Sequence, residues 1–89
     1  MFRMWGKLWK DNHLLLDTVA ANGDYSMSRT AMVFQALDEI CREFDLGQPI
    51  WLDSNIREFQ KHSSTKFRQD NFIEEIEFDF LELHVIEED

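Results

Sequence analysis

Glu58 and His62 stand four residues apart in a segment with helical spacing, with Asp53 shortly before them. That interval puts a carboxylate and an imidazole on one helix face, as in half of a metal or acid–base site. A structural metal needs about four ligands and a catalytic one about three. The other imidazoles, His13 and His84, fall in separate segments. The plainer reading of Glu58 and His62 is therefore a solvent-facing helix pair, and no metal or cofactor is expected. The acids Glu74, Glu75, Glu77, Asp79 and Glu82 offer carboxylates for hydrolysis or for a hard cation such as calcium. Alternating acids are more simply the wet face of a strand, and the Asp-rich, Gly-centred spacing of an EF-hand loop is absent. Cys41 is the one thiol. It lies in an apolar stripe beside Leu37 and Phe44, where a thiol behaves as a small inert hydrophobe rather than a nucleophile.

A second constellation sits near the start. Trp5, Trp9, Lys7 and Lys10 interleave with Phe2 and Arg3 and form the candidate interaction surface. As strand residues they have the aromatic and basic character of single-strand nucleic-acid binders. As a helix they make a cationic amphipathic anchor for a membrane surface. Both readings meet a net charge of −9, whose field repels polyanions and anionic lipid. Nucleic acid and membrane are accordingly not the expected partners. The acids are concentrated at 70–89, where nine Asp and Glu occur with no Lys or Arg. Such a run suits a basic protein surface, including mimicry of nucleic acid, although solubility alone accounts for it.

The elements that must position these residues follow from periodicity and turn chemistry. Phe2–Lys10 and His13–Ala20 alternate with period two around Asp11-Asn12, which predicts a β-hairpin. Helical spacing of Met1, Met4, Trp5, Leu8 and Trp9 is the rival, weakened by Gly6, which costs a helix about 1 kcal/mol. A helix is expected over about 28–46, capped by Ser26 or Ser28, with Val33, Leu37, Ile40 and Phe44 inward and Phe34 and Cys41 widening the stripe. Gly47 is the expected C-terminal cap, and Pro49 stops continuation. A second helix runs over about 54–62 with Ile56 and Phe59 inward. Lys66–Asn71 predicts a short strand around Phe67. Ile76–Val85 alternates with a phase slip between Phe80 and Leu81, the mark of a β-bulge, while residues 70–76 also satisfy a helical spacing. The predicted fold is α+β: an N-terminal hairpin, two helices, and C-terminal strands in the same sheet. The basic start and the acidic end are expected as neighbours in that sheet, because opposite charges across strands stabilise it.

Eighty-nine residues with 44% hydrophobic and 30% charged side chains fit one domain, 1–89. Eight Phe and three Trp supply a core with few positions. The apolar run at Leu14–Leu16 is cut by Asp17 and is too short for a signal sequence. A lone cysteine excludes an intrachain disulfide, so a reducing cytoplasm is expected. The segments Leu52-Asp53-Ser54-Asn55-Ile56-Arg57-Glu58-Phe59 and Asp70-Asn71-Phe72-Ile73-Glu74-Glu75-Ile76-Glu77-Phe78 are familiar in type. Through them the chain, nearly from end to end, resembles small acidic bacterial proteins of unassigned function. The resemblance implies a bacterial cytoplasmic origin and carries over no site residues. The leading functional expectation is a protein-interaction or accessory module, with a homodimer as one form. A small carboxylate-using enzyme comes second, although no catalytic motif favours it. A peripheral membrane or single-strand nucleic-acid binder comes third.

Overall fold

The two apolar runs at the start fold back on each other as β1 (Phe2–Lys10) and β2 (His13–Asn22), in a computed structural model that describes residues 1–88. Asp11 and Asn12 both take left-handed backbone, φ 52° and 65°. A two-residue turn with both centres left-handed matches the twist of the flanking strands, and Asp and Asn tolerate it best after glycine. Residues 2–10 are strand, so the amphipathic-helix alternative does not arise.

Ser28 caps α1 (Arg29–Glu43) by accepting the Ala31 N–H at 3.1 Å. The expected glycine cap is corrected: the helix closes at Asp45, left-handed at φ 55°, with Asp45 N–H on Arg42 O and Leu46 N–H on Cys41 O. These two bonds satisfy the last carbonyls, and Asp is one of the few side chains that bears this conformation. Gly47 serves instead as a clear approach for Glu74, whose carboxylate accepts the Gly47 N–H at 3.0 Å. After Pro49, α2 spans Asp53–His62 and ends on left-handed Ser63. Its inward residues are Asn55 and Phe59, while Ile56 is 42% exposed, contrary to the expected pattern. One helical turn sets Asn55, not Ile56, above Phe59 on the face toward the sheet.

Strand β3 (Ser64–Phe67), a 3₁₀ turn at Gln69–Asn71 and β4 (Phe80–Glu87) complete the chain. The expected bulge at Phe80/Leu81 is absent. Phe80 opens β4, Leu81, Leu83 and Val85 alternate inward, and the residues before it are irregular, so the phase slip marks the strand's beginning. The bulges lie elsewhere, leaving Leu15 and Ile86 without cross-strand partners on β1.

The sheet is antiparallel throughout, in the order β2-β1-β4-β3. The basic first strand and the acidic last strand are neighbours, as expected. Arg3 pairs with Glu87 and Lys7 with Glu82, with ion pairs of 3.7 and 3.5 Å. Both helices cover one face. Phe2, Met4, Leu8, Phe67, Leu81 and Leu83 are buried there against Val33, Leu37, Ile40 and Phe59. Gly6 lies beneath α1: a Cβ at that position would sit 2.5 Å from Ile40 Cγ2.

Candidate functional site

The uncovered face of the sheet carries the aromatic and basic residues of β1. Trp5, Lys7 and Trp9 share it, half-buried, whereas Lys10 stands apart beside the hairpin turn. These side chains are engaged with one another and with the neighbouring strands. Lys7 Nζ lies 3.8 Å from the Trp5 ring centre and 3.5 Å from Glu82. The Trp5 indole donates to Asp17 at 2.9 Å, and the Trp9 indole donates to Glu82 at 3.0 Å. Phe80 packs beside Trp9 with ring centres 6.4 Å apart. A stacking platform for bases needs free ring faces and uncompensated cations. Here the indoles and Lys7 already meet carboxylates.

The edge of the same sheet differs. Leu14, Leu15, Leu16 and Val19 of β2 are 44%, 49%, 53% and 48% exposed. Leu16 pairs with the buried Leu8 on the helical side, where the helices leave it half open. A further apolar patch occurs between the helices, where exposed Phe34 and Ile56 flank the half-buried Trp51. Among the described residues no helix is long and apolar enough to cross a membrane.

Glu58 and His62 line a polar cleft of about 550 Å³ between α2, β3 and the 3₁₀ turn. Both reach the same cleft from one helix. Among the described residues no group of three or more His, Cys, Asp or Glu is placed to hold a metal. Glu58 accepts the Thr65 hydroxyl at 2.8 Å, which ties it to the floor of the cleft. That floor is the part sequence reasoning missed. Asn55 donates to Thr65 Oγ1 (2.9 Å) and Lys66 O (3.0 Å), and accepts from Leu52 N–H (3.1 Å) and Asn71 Nδ2 (2.7 Å). Asn71 also donates to Ile50 O at 2.8 Å and accepts the Arg68 N–H at 2.9 Å. Asn55, Thr65 and Asn71 are buried, and a saturated network of this kind rigidifies what it links. The signal available in the sequence was Asn55 standing four residues before Phe59 on the inward stripe.

Four basic residues contribute to the lining. Arg57 and Lys61 come from α2, Lys66 from β3 and Arg68 from the residue after it. The charged ends of Lys66 and Arg68 lie 4.8 and 5.8 Å from the Phe80 ring centre, toward the open face of the sheet and away from the side on which Thr65 meets α2. Asp70 and Glu58 are the only acids in the lining.

Cys41 takes no part in either region. It is buried on α1, and burial, with the nearby charge of Asp38, pushes its thiol up to about 11. A thiol held protonated at neutral pH is a poor nucleophile. Comparison with protein-family models, with curated proteins and with solved structures returns no match for this chain.

Proposed function

We propose that this protein is an interaction module that pairs with a second copy of itself through the free edge of strand β2. The contrast between the two edges of its sheet carries the proposal. Edge strands present unpaired N–H and C=O groups, and folded monomers blunt them with short length, Lys, Pro or an inward charge. The β3 edge is four residues long and includes Lys66. The β2 edge is ten residues long, His13–Asn22, with no Lys, Arg or Pro. Its one acid, Asp17, is held by the Trp5 indole on the open face. The bulge at Leu15 protects the end near the hairpin turn and leaves the stretch from Leu16 onward for pairing.

A two-fold partner suits this edge because an antiparallel strand is self-complementary. Pairing adds main-chain hydrogen bonds and removes Leu16 and Val19 from water, the mode by which an extended segment adds to a sheet. Each copy carries a charge of −9, and β2 is a stretch where two such copies approach with little local repulsion.

Sedimentation equilibrium at several concentrations tests the reading. A monomer–dimer equilibrium is expected at micromolar concentration, abolished by Leu16→Lys or Val19→Lys and unaffected by Phe34→Lys on the helical side. Monomers persisting at high micromolar concentration, or a dimer that survives both β2 variants, would refute it.

A further inference from the structure

Resting on that reading, we propose that the second copy pairs in one register, Val19 against the partner's Val19, with the helices of both copies on the same side of a joined sheet. The direction of the main-chain groups along β2 carries it. Asp79 N–H donates to Trp9 O at 2.8 Å, and Val85 N–H donates to Ser63 O at 2.9 Å. Backbone groups alternate sides along a strand. The second bond turns Val85, Leu83 and Leu81 toward β3, and therefore Glu82 and His84 toward Lys7 and Trp5 of β1. The first bond agrees, since Trp9, Lys7 and Trp5 then all face β4. Leu8, Gly6 and Met4 accordingly face β2, where they bond Leu16, Thr18 and Ala20. Left at the open edge are the N–H and C=O groups of Asp17, Val19 and Ala21.

Those three residues restrict the pairing. In an antiparallel pair, residues that exchange hydrogen bonds stand directly opposite one another and point to the same face. Asp17, Val19 and Ala21 lie on the open face, beside Lys7, Trp5 and Arg3. A copy bonded at this edge must present its own open face on the same side, which puts the helices of both copies together on the other. Pairing with the faces opposed would set Val19 against the partner's Thr18, whose main-chain groups are already bonded to Gly6.

Symmetry and charge then select the register. After the bulge, β2 runs unbroken from Leu16 to Asn22, and the midpoint of that stretch is Val19. Centring there pairs Val19 with its own copy and Asp17 with Ala21 in both directions. Each such pair exchanges two bonds, about six in all. A slip of two residues sets Ala21 against the bulge at Leu15, or Asp17 against Gly23 beyond the strand. A slip of four opposes Asp17 to the partner's Asp17, and like charges so placed repel. In the centred register the two Asp17 stand about 14 Å apart along the strands, four residues at about 3.4 Å each. That exceeds the screening length of about 8 Å. The open face gains an apolar row of Trp5, Val19, the partner's Val19 and the partner's Trp5, which covers a Val19 that is 48% exposed in the monomer.

Cysteine variants of the full chain in a Cys41→Ala background test the register, oxidised mildly and read by non-reducing electrophoresis. Opposed hydrogen-bonded residues lie about 5.5 Å apart between Cα atoms, within the roughly 4.4–6.8 Å that a disulfide spans. Val19→Cys should link to itself. Asp17→Cys should link to Ala21→Cys when the two are mixed, and neither should link to its own kind. In sedimentation equilibrium Ala21→Lys should tighten the dimer roughly two- to thirtyfold, because symmetry creates two cross-strand ion pairs with the partner's Asp17. Adding Asp17→Asn should remove that gain. Melts in dilute solution check that each variant folds. A dimer that Val19→Lys abolishes, yet in which Val19→Cys links to Thr18→Cys and not to itself, overturns the shared side of the helices. Asp17→Cys linking to itself, or no gain from Ala21→Lys, overturns the register. Both of those results leave the edge reading standing. A monomer at high micromolar concentration, or a dimer indifferent to Val19→Lys, overturns that reading and this inference together.

Discussion

Asn55→Ala tests whether the buried polar floor holds the cleft together. Asn55 is 3% exposed and makes four hydrogen bonds, two donated and two accepted, between 2.7 and 3.1 Å. The substitution removes all four. Leu52 is 41% exposed, so water can reach its freed N–H. Thr65 and Asn71, 3% and 4% exposed, each lose one bond of several, since Thr65 keeps Glu58 and Asn71 keeps Ile50 O and the Arg68 N–H. A typical bond contributes about 1 kcal/mol net, and four are lost together. The sum is roughly 3–5 kcal/mol, a large share of the roughly 4–13 kcal/mol expected for a domain of this length. Urea unfolding followed by tryptophan fluorescence reads this directly, since Trp51 packs 5.0 Å from Phe67 at the end of β3. The midpoint should fall with the slope unchanged. Asn55→Leu separates the causes: it refills the space but removes the same four bonds, so it should cost nearly as much as Asn55→Ala. Asn55→Ala and Asn71→Ala should be coupled by about 1 kcal/mol or more, because the two amides share a bond. A loss below about 1 kcal/mol for Asn55→Ala, or wild-type stability in Asn55→Leu, would refute the reasoning.

Two further predictions concern the core. Gly6→Ala places a methyl 2.5 Å from Ile40 Cγ2, where Ile40 is fully buried, so it should destabilise by about 1–3 kcal/mol through overpacking. Adding Ile40→Ala should restore part of that loss, because the new methyl fills the hole; additive losses in the double mutant would show that the helix does not press on β1 there. Cys41 titrates at about 11 folded against 9.0 unfolded, so the unfolded chain loses its proton first as pH rises. The stability present below pH 9.0 should therefore fall across the interval up to about 11, by about 1.4 kcal/mol per pH unit at most. Urea midpoints against pH should show a shallower alkaline decline in Cys41→Ala, and an identical decline in both proteins would show that the thiol does not ionise differently on folding.

Much of the architecture was legible because its causes are local. The Asp11-Asn12 turn, the alternation in Phe2–Lys10, a cap at Ser26 or Ser28 and the 33/37/40/44 stripe each depend on residues a few positions apart. The structure bears out the turn and the strand, selects Ser28 and buries Val33, Leu37, Ile40 and Cys41. Phe44, by contrast, is half-buried past the helix end, and Phe34, read as widening the stripe, is 51% exposed. The β1–β4 pairing, though distant in sequence, was also legible, since opposite charge made one neighbour better than the others. Local cues failed where two signals competed within one turn. Gly47 looked like the cap because glycine bears left-handed backbone most easily, yet Asp45 took that conformation two residues earlier. Ile56 looked buried because it is apolar, yet the turn of α2 set Asn55 inward. The phase slip at Phe80 marked where a strand begins, not a bulge within one.

What the sequence determined by itself was therefore the class of fold, its elements, and the excess of acid that colours every surface. Only the tertiary structure decided which edge of the sheet stands open and which cations meet carboxylates. Trp5, Lys7 and Trp9 stood out by composition, and folding matched them with carboxylates from β2 and β4. Arg57, Lys61, Lys66 and Arg68 lie within no ion pair among the described residues, and Lys66 and Arg68 rest over the Phe80 ring instead. Whether a charge is answered depends on what the packed chain brings within about 4 Å of it, and that distance is set by contacts such as Asn55 with Asn71, sixteen residues apart along the chain.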